Sequence, residues 1–229
     1  FNTVCANAYV RPQMADYLKR LQIRLADMGA GCPVYMIHSG GGLIDVDTAA
    51  AFPVRLVESG PAGGAIFAAD VARRFGLDRV VSYDMGGTTA KICLIEDFAP
   101  KTARSFEVAR TTRFAKGSGM PISIPVIEMI EIGAGGGSIA WVDSMGRIQT
   151  GPESAASEPG PACYQRGGER PAITDADLVL GKIDPENFAG GAILLSRDMA
   201  EAAIARDVGD RLSLPVEAAA FGICEVVDE

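Results

Sequence analysis

Aromatic side chains are scarce in this chain, at 7% of 229 residues, with one tryptophan and one histidine. A single imidazole gives a histidine-based catalytic triad little to build on. His38, next to Ser39 and three glycines, reads instead as a residue that orders its own loop. The five cysteines (Cys5, Cys32, Cys93, Cys163, Cys224) are odd in number and none has C-x-x-C spacing. Neither a disulfide framework nor a zinc site is indicated, and a reducing, cytoplasmic setting is favoured. No secretory signal and no apolar run of membrane-spanning length is found, so a membrane partner is not expected. Lys and Arg number 21 against 29 Asp and Glu, and the net charge of −8 argues against a nucleic-acid surface. A G-x-x-x-x-G-K-[ST] run is absent too, so the P-loop fold is not supported.

What the chain has in quantity is glycine and alanine within a 48% hydrophobic composition. That mix suits α/β architecture with close helix–sheet packing, in one large domain or two small ones. Met14, Tyr17, Leu18, Leu21 and Leu25 recur at helical spacing and predict a helix over residues 12–28. Strands are predicted at 34–37, 54–57, 79–83 and 91–95, alternating with helices near 45–51 and up to residue 75, a pattern for a sheet with flanking helices. Residues 99–126, with Arg104, Arg110, Arg113 and Lys116, read as a β-rich excursion or a mobile loop. A hairpin is expected over 139–150. Residues 151–171, rich in Gly, Pro, Ser and Glu, form a long loop of the functional or disordered kind. Thr174 and Ser196 are candidate helix caps, and Pro215 opens a last helix.

The most informative run is Asp84-Met85-Gly86-Gly87-Thr88-Thr89-Ala90-Lys91, placed between two predicted strands. Glycines let a backbone approach an anion and turn N–H groups toward it. Hydroxyls donate to phosphate oxygens, and a carboxylate can hold hydrated Mg²⁺. The run therefore has the parts of a nucleotide-phosphate turn, though an ordinary Gly-Gly hairpin fits the same letters. Three further glycine-rich loops follow predicted strands: residues 38–42, 58–64 (with Gly60, Gly63 and Gly64) and 133–138 (with Gly135, Gly136, Gly137 and Ser138). In an α/β sheet such loops gather at one sheet edge, where ligands bind. The 58–64 run opens a helix, where free N–H groups favour an anion. Asp175 and Asp177, two apart at a helix start, serve either as caps or as metal or nucleotide contacts. Cys163 has no base near it in sequence and reads as a small buried residue or, alternatively, a nucleophile.

Taken together, five ordered segments resemble the hydantoinase A / 5-oxoprolinase family, which also includes acetone carboxylase β-type subunits. They are Leu56-Val-Glu-Ser-Gly-Pro-Ala-Gly-Gly64, Asp84-Met-Gly-Gly-Thr88, Ile132-Gly-Ala-Gly-Gly-Gly-Ser-Ile-Ala-Trp-Val-Asp143, Pro159-Gly-Pro-Ala-Cys-Tyr164 with Arg166-Gly-Gly168, and Thr174-Asp-Ala-Asp-Leu-Val-Leu-Gly181. The resemblance spans essentially the whole chain. It implies an actin-like ATPase (ribonuclease H-like) fold, here partial, in which two halves each carry a D-x-G-G-T turn. Only the turn at Asp84 is present, so residues 1–229 are expected to be a central-domain fragment. It would lack the N-terminal half of the ATPase cleft and the C-terminal remainder, and would be inactive alone. One departure stands out: many members carry a carboxylate where this chain has Lys91, and the T-T-A-K form is similar to the N-methylhydantoinase branch.

The function so implied is ATP-dependent hydrolysis of a five-membered cyclic amide, such as a hydantoin, N-methylhydantoin or 5-oxoproline, through phosphoryl activation of its carbonyl oxygen. Asp84, with Asp175 and Asp177 as further candidates, would hold Mg²⁺. Gly86, Gly87, Thr88 and Thr89 would hold the phosphates of ATP, and Lys91 would neutralise charge. Residues 58–64 and 133–138 would line the nucleotide or substrate cleft. A partner of the hydantoinase B type is expected. The alternatives are a subunit of an ATP-dependent ketone carboxylase and a non-catalytic, nucleotide-gated assembly module.

Overall fold

A computed structural model describes residues 1–109 and 117–228. Arg110, Arg113 and Lys116 of the basic stretch lie outside the described residues. The chain divides into two compact units, Phe1–Asp84 with Lys91–Glu131, and Met85–Ala90 with Ile132–Glu229.

The first unit opens with helix α1 (Asn2–Asp27), which begins ten residues before the predicted start and carries Pro12 inside it. A β1–β2 hairpin (Tyr35–Ile37, Leu43–Asp45) follows, with Met36 opposite Ile44. Helix α2 (Val46–Ala51) is capped by Asp45, whose carboxylate accepts from the Thr48 amide at 2.8 Å. The strand expected at 54–57 is instead a 3₁₀ turn, Pro53–Leu56. Pro53 at its first position pre-sets a helical φ and supplies no ladder donor, which overrides the β preference of two valines. Helix α3 (Ser59–Phe75) packs Ala62, Ala65 and Ala69 against Cys93, Ile95 and Ile127, and these small residues allow close helix–sheet approach. Strands β3 (Arg79–Met85) and β4 (Ala90–Glu96) belong to a four-stranded sheet. In it β5 (Ala99–Pro100) pairs with β4, and β10 (Ile130–Ile132) flanks β4 on the side away from β3. The stretch between is β-rich: β6 (Thr102–Ala103) pairs with β9 (Val126–Ile127), and β7 (Phe106–Val108) with β8 (Met120–Ile122).

The second unit is built on the predicted hairpin, β11 (Ser138–Val142) and β12 (Ile148–Ser154), antiparallel with Ala140 opposite Thr150. Helices α4 (Ile173–Val179), α5 (Arg197–Ile204), α6 (Asp210–Leu212) and α7 (Val216–Asp228) complete it. Ser196 caps α5 through the Met199 amide as expected, but Ala172 rather than Thr174 is the N-cap of α4. Val142, Ile173, Leu178, Ile204, Val208 and Ile223 form one core, each under 7% exposed. The long loop is no bare linker: Pro161, Ala162, Cys163 and Pro171 in it are buried. Among the described residues no helix is long and apolar enough to cross a membrane.

Candidate functional site

Asp84 is exposed near the end of β3, and the turn that follows is closed by the Gly86 amide donating to the Thr89 carbonyl at 3.0 Å. Gly86, Gly87 and Thr88 are exposed. The backbone of 133–138 fixes this turn within the second unit. The amides of Gly136 and Gly137 donate to the carbonyls of Gly86 (3.0 Å) and Gly87 (2.7 Å). A Cβ on Gly135 would stand 2.6 Å from the Thr88 nitrogen and 2.7 Å from the Gly86 oxygen; on Gly137 it would stand 2.8 Å from the Gly87 oxygen. Only glycine permits main chain to lie on main chain this closely. The Gly135 amide, in turn, donates to buried Ser138 Oγ at 2.9 Å. The Gly86 amide, expected to hold phosphate, and the amides of Gly135, Gly136 and Gly137, in a loop expected to line the cleft, are therefore spent inside the protein. The 133–138 loop supports the Met85–Ala90 turn and does not itself offer those groups to an anion.

The support continues into α4. Thr174 donates both its amide and its Oγ1 to the Gly136 carbonyl, each at 2.8 Å. Asp175, next to it, is fully buried. Its carboxylate accepts the amides of Ala162 (3.2 Å), Cys163 (2.7 Å) and Ala172 (2.7 Å). It thereby closes the first turn of α4 and pins Pro161-Ala-Cys-Tyr164 to it. Burial raises its pKa, outweighing the hydrogen bonds that lower it. Burial, then the neighbouring Asp175, also pushes the Cys163 thiol well above its usual range, so Cys163 is an inert packed thiol and not an activated nucleophile. Asp177 is turned to other partners, Cys224 Sγ and Lys182 Nζ, both at 3.3 Å from Oδ1. The expectation of Asp175 and Asp177 as metal ligands is thus revised. The first is saturated with N–H donors, and the second is in a peripheral charge pair. Among the described residues no group of three His, Cys, Asp or Glu side chains is placed to hold a metal ion.

In the first unit, Gly60, Gly63 and Gly64 are not a loop but the opening turns of α3. Gly60 and Gly64 face open space, and a Cβ on Gly63 would sit 3.0 Å from Ile37 Cδ1. The residue before the helix, Glu58, is left-handed (φ 61°, ψ 19°) although it is not glycine. Its carboxylate accepts an ion pair from Lys91, with side-chain exposures of 28% and 15%. Lys91, expected to neutralise phosphate charge, is committed to Glu58 instead. The His38 loop is ordered by its own residues: Nδ1 accepts the Gly40 amide at 3.0 Å, and buried Ser39 directs Oγ at the carbonyls of Arg55 and Val57.

Ser154 and the pairing of Glu58 with Lys91 escaped the sequence reading. Ser154 Oγ donates to the Gly87 carbonyl at 3.2 Å, and no spacing rule ties residue 154 to residue 87. Glu58 was read only as part of the 58–64 run, and no spacing in the chain ties it to Lys91.

A family model described as Hydantoinase/oxoprolinase matches residues 1–229. The caprolactamase subunit alpha of Pseudomonas jessenii is 38% identical over 227 residues, covering 99% of this chain and 31% of that protein. The nucleotide-free structure of acetone carboxylase, from work on ATP-dependent acetone carboxylation, superposes with a TM-score of 0.77 at 30% identity over 92% of this chain and 28% of its own. The crystal structure of the ATP-dependent caprolactamase gives 0.70 at 36% identity, over 99% of this chain and 32% of that one. The chain spans about a third of the length of the caprolactamase and carboxylase subunits it matches, and less of the 5-oxoprolinases.

Proposed function

This chain belongs to the hydantoinase/oxoprolinase family, and from that premise we propose that it supplies the phosphate-gripping part of an enzyme that uses ATP to open a cyclic amide. One observation carries the reading: an exposed carboxylate, Asp84, comes two residues ahead in the chain of an exposed Gly-Gly-Thr turn whose shape is locked by the backbone of Gly135–Gly137. A rigid turn beside a carboxylate is what phosphoryl transfer asks of a protein, because catalysis there is positioning and charge neutralisation. The fold that accommodates it is read as part of an actin-like ATPase.

An amide carbonyl is a poor electrophile. Transfer of the γ-phosphoryl group to its oxygen releases ADP and leaves a carbon open to water. Addition of water, loss of phosphate and cleavage of the ring C–N bond then give the ring-opened product. In this chain, Thr88 and Thr89 are the candidate hydroxyl donors to the phosphates, and the Gly86–Gly87 backbone gives them close approach. Asp84 suits a cation that arrives with ATP: magnesium needs one or two carboxylates, phosphate oxygens and water, not an all-protein cage. Such an ion would screen the phosphate charge during transfer. The substrate class proposed is a lactam or cyclic imide, hydantoins and 5-oxoproline first. The similarity to caprolactamase adds a larger ring to the set to be tried. Neither Asp175 nor Lys91 is given a chemical role.

The test is ATP hydrolysis by the intact protein with any partner subunit, against hydantoin, N-methylhydantoin, 5-oxoproline and caprolactam. Substrate-stimulated hydrolysis lost on Asp84→Asn supports the reading; ATP turnover indifferent to every ring compound rejects it. The superposition on acetone carboxylase supports a second reading, ketone carboxylation. ATP turnover that requires a ketone and bicarbonate would select it.

A further inference from the structure

We infer that Glu58 is a positioning residue that draws Lys91 away from Asp84 and so keeps the Asp84 carboxylate available; the inference rests on the nucleotide reading above. The hairpin bond from the Gly86 amide to the Thr89 carbonyl pairs residues 86 and 89. Counting back along both strands sets residue 84 across from residue 91. The same count sets Val80 across from Ile95, and both of these pack in the cluster that includes Ala62, Ala65 and Ala69 of α3. Side chains directly opposite on antiparallel strands lie about 5 Å apart, and unlike charges there attract. Left to themselves, a lysine and an aspartate at these positions would pair.

The structure gives the lysine to Glu58 instead. Asp84 is exposed and enters no ion pair among the described residues. Glu58 holds its place at a backbone cost: φ is 61° in a residue with a Cβ, directly before the first turn of α3. The pair is also withdrawn from solvent, with Lys91 at 15% exposure, so it is less screened than a surface contact. Lys91, where this chain departs from the family pattern, thus finds its partner in a carboxylate at 58. Without Glu58, the carboxylate directly across the ladder from Lys91 is Asp84, and a covered Asp84 holds a cation poorly.

The experiment is calorimetric titration of the intact protein with ADP, once with excess Mg²⁺ and once with chelator. The quantity read is the ratio of the two affinities, for wild type, Glu58→Gln, Lys91→Met and the double variant. Glu58→Gln should reduce the magnesium-dependent gain in affinity by about tenfold and leave the metal-free affinity within about twofold, since it covers one charge without touching the turn. Lys91→Met should keep the gain, and the double variant should recover it, because no ammonium remains to cover Asp84. A general packing defect would not be repaired by the second substitution. An unchanged gain in Glu58→Gln, or a double variant as impaired as the single, overturns the role of Glu58 while leaving the nucleotide site standing. A wild-type protein that binds ADP under neither condition overturns the nucleotide reading and this inference together.

Discussion

The two units stabilise their glycine-rich elements by opposite means. In the second, the Met85–Ala90 turn is held by neutral backbone bonds from Gly136 and Gly137, backed by Thr174, with Asp175 bonded to three more amides behind it. In the first, the start of α3 is tied to β4 by one ion pair, Glu58–Lys91, between half-buried side chains. A network of backbone bonds has one geometry and little response to salt. An ion pair can exchange partners. The contrast places rigidity at the Met85–Ala90 turn and adjustability at the start of α3.

The comparison breaks most visibly at Asp175. Replacing it by alanine leaves three buried N–H groups without an acceptor, and unmet buried donors cost about 1–3 kcal/mol each before relaxation. Asp175→Ala should therefore lower unfolding stability by about 4 kcal/mol in urea titrations, the largest effect expected here. Its pH dependence follows from the raised pKa. A carboxyl that holds its proton more tightly when folded contributes that stabilisation fully below about pH 4, the unfolded value. The contribution is lost as pH rises through the folded-state value. Asp175→Asn should flatten this part of the stability-against-pH curve, and a curve of unchanged slope would show that another group is responsible.

Gly135→Ala ranks next. Its new methyl meets backbone atoms of residues 86–88 at 2.6–2.7 Å, and backbone cannot swing aside as a side chain can. A loss of about 3 kcal/mol is expected, with nucleotide turnover falling further than stability because the turn itself is displaced. Gly64→Ala is the control: nothing lies within 4 Å of its Cβ, and in mid-helix alanine is the better residue. It should be neutral or slightly stabilising in thermal melts.

Much of the fold was legible because its signals are local. Alternation and turn letters located β3, β4 and the β11–β12 hairpin, and Asp45 and Ser196 cap helices as side chains of their type do. The strand expected at 54–57 failed because Pro53 outvoted two valines. The candidate site was legible in its letters but not in its division of labour. Gly86 and Gly136 look alike in sequence, yet one belongs to an exposed turn and the other lends its amide to that turn. Which glycine supports which is a tertiary fact, separated here by 50 positions in the chain. Asp175 illustrates the same limit: a carboxylate at a helix start fits a cap or a metal ligand equally well until burial and three amide donors decide it.

Thr174→Val tests the relay between α4 and the glycine loop at a smaller scale. The Oγ1 bond to the Gly136 carbonyl is lost but the amide bond to the same oxygen remains, so about 1 kcal/mol is expected.

The smallest effect on stability is expected where the ion pair is cut. Lys91→Met should cost at most about 1 kcal/mol, because the pair is only partly withdrawn from water and methionine retains much of the packed stem. Salt separates this case from the others. In 1 M NaCl the screening length falls to about 3 Å, so the difference between wild type and Lys91→Met should shrink, while the deficit of Gly135→Ala should not. Paired urea titrations at low and high salt read both at once. If the Gly135→Ala deficit also closes with salt, the turn is held by charge after all; if the Lys91→Met deficit persists, Lys91 acts through packing and its pairing with Glu58 contributes little.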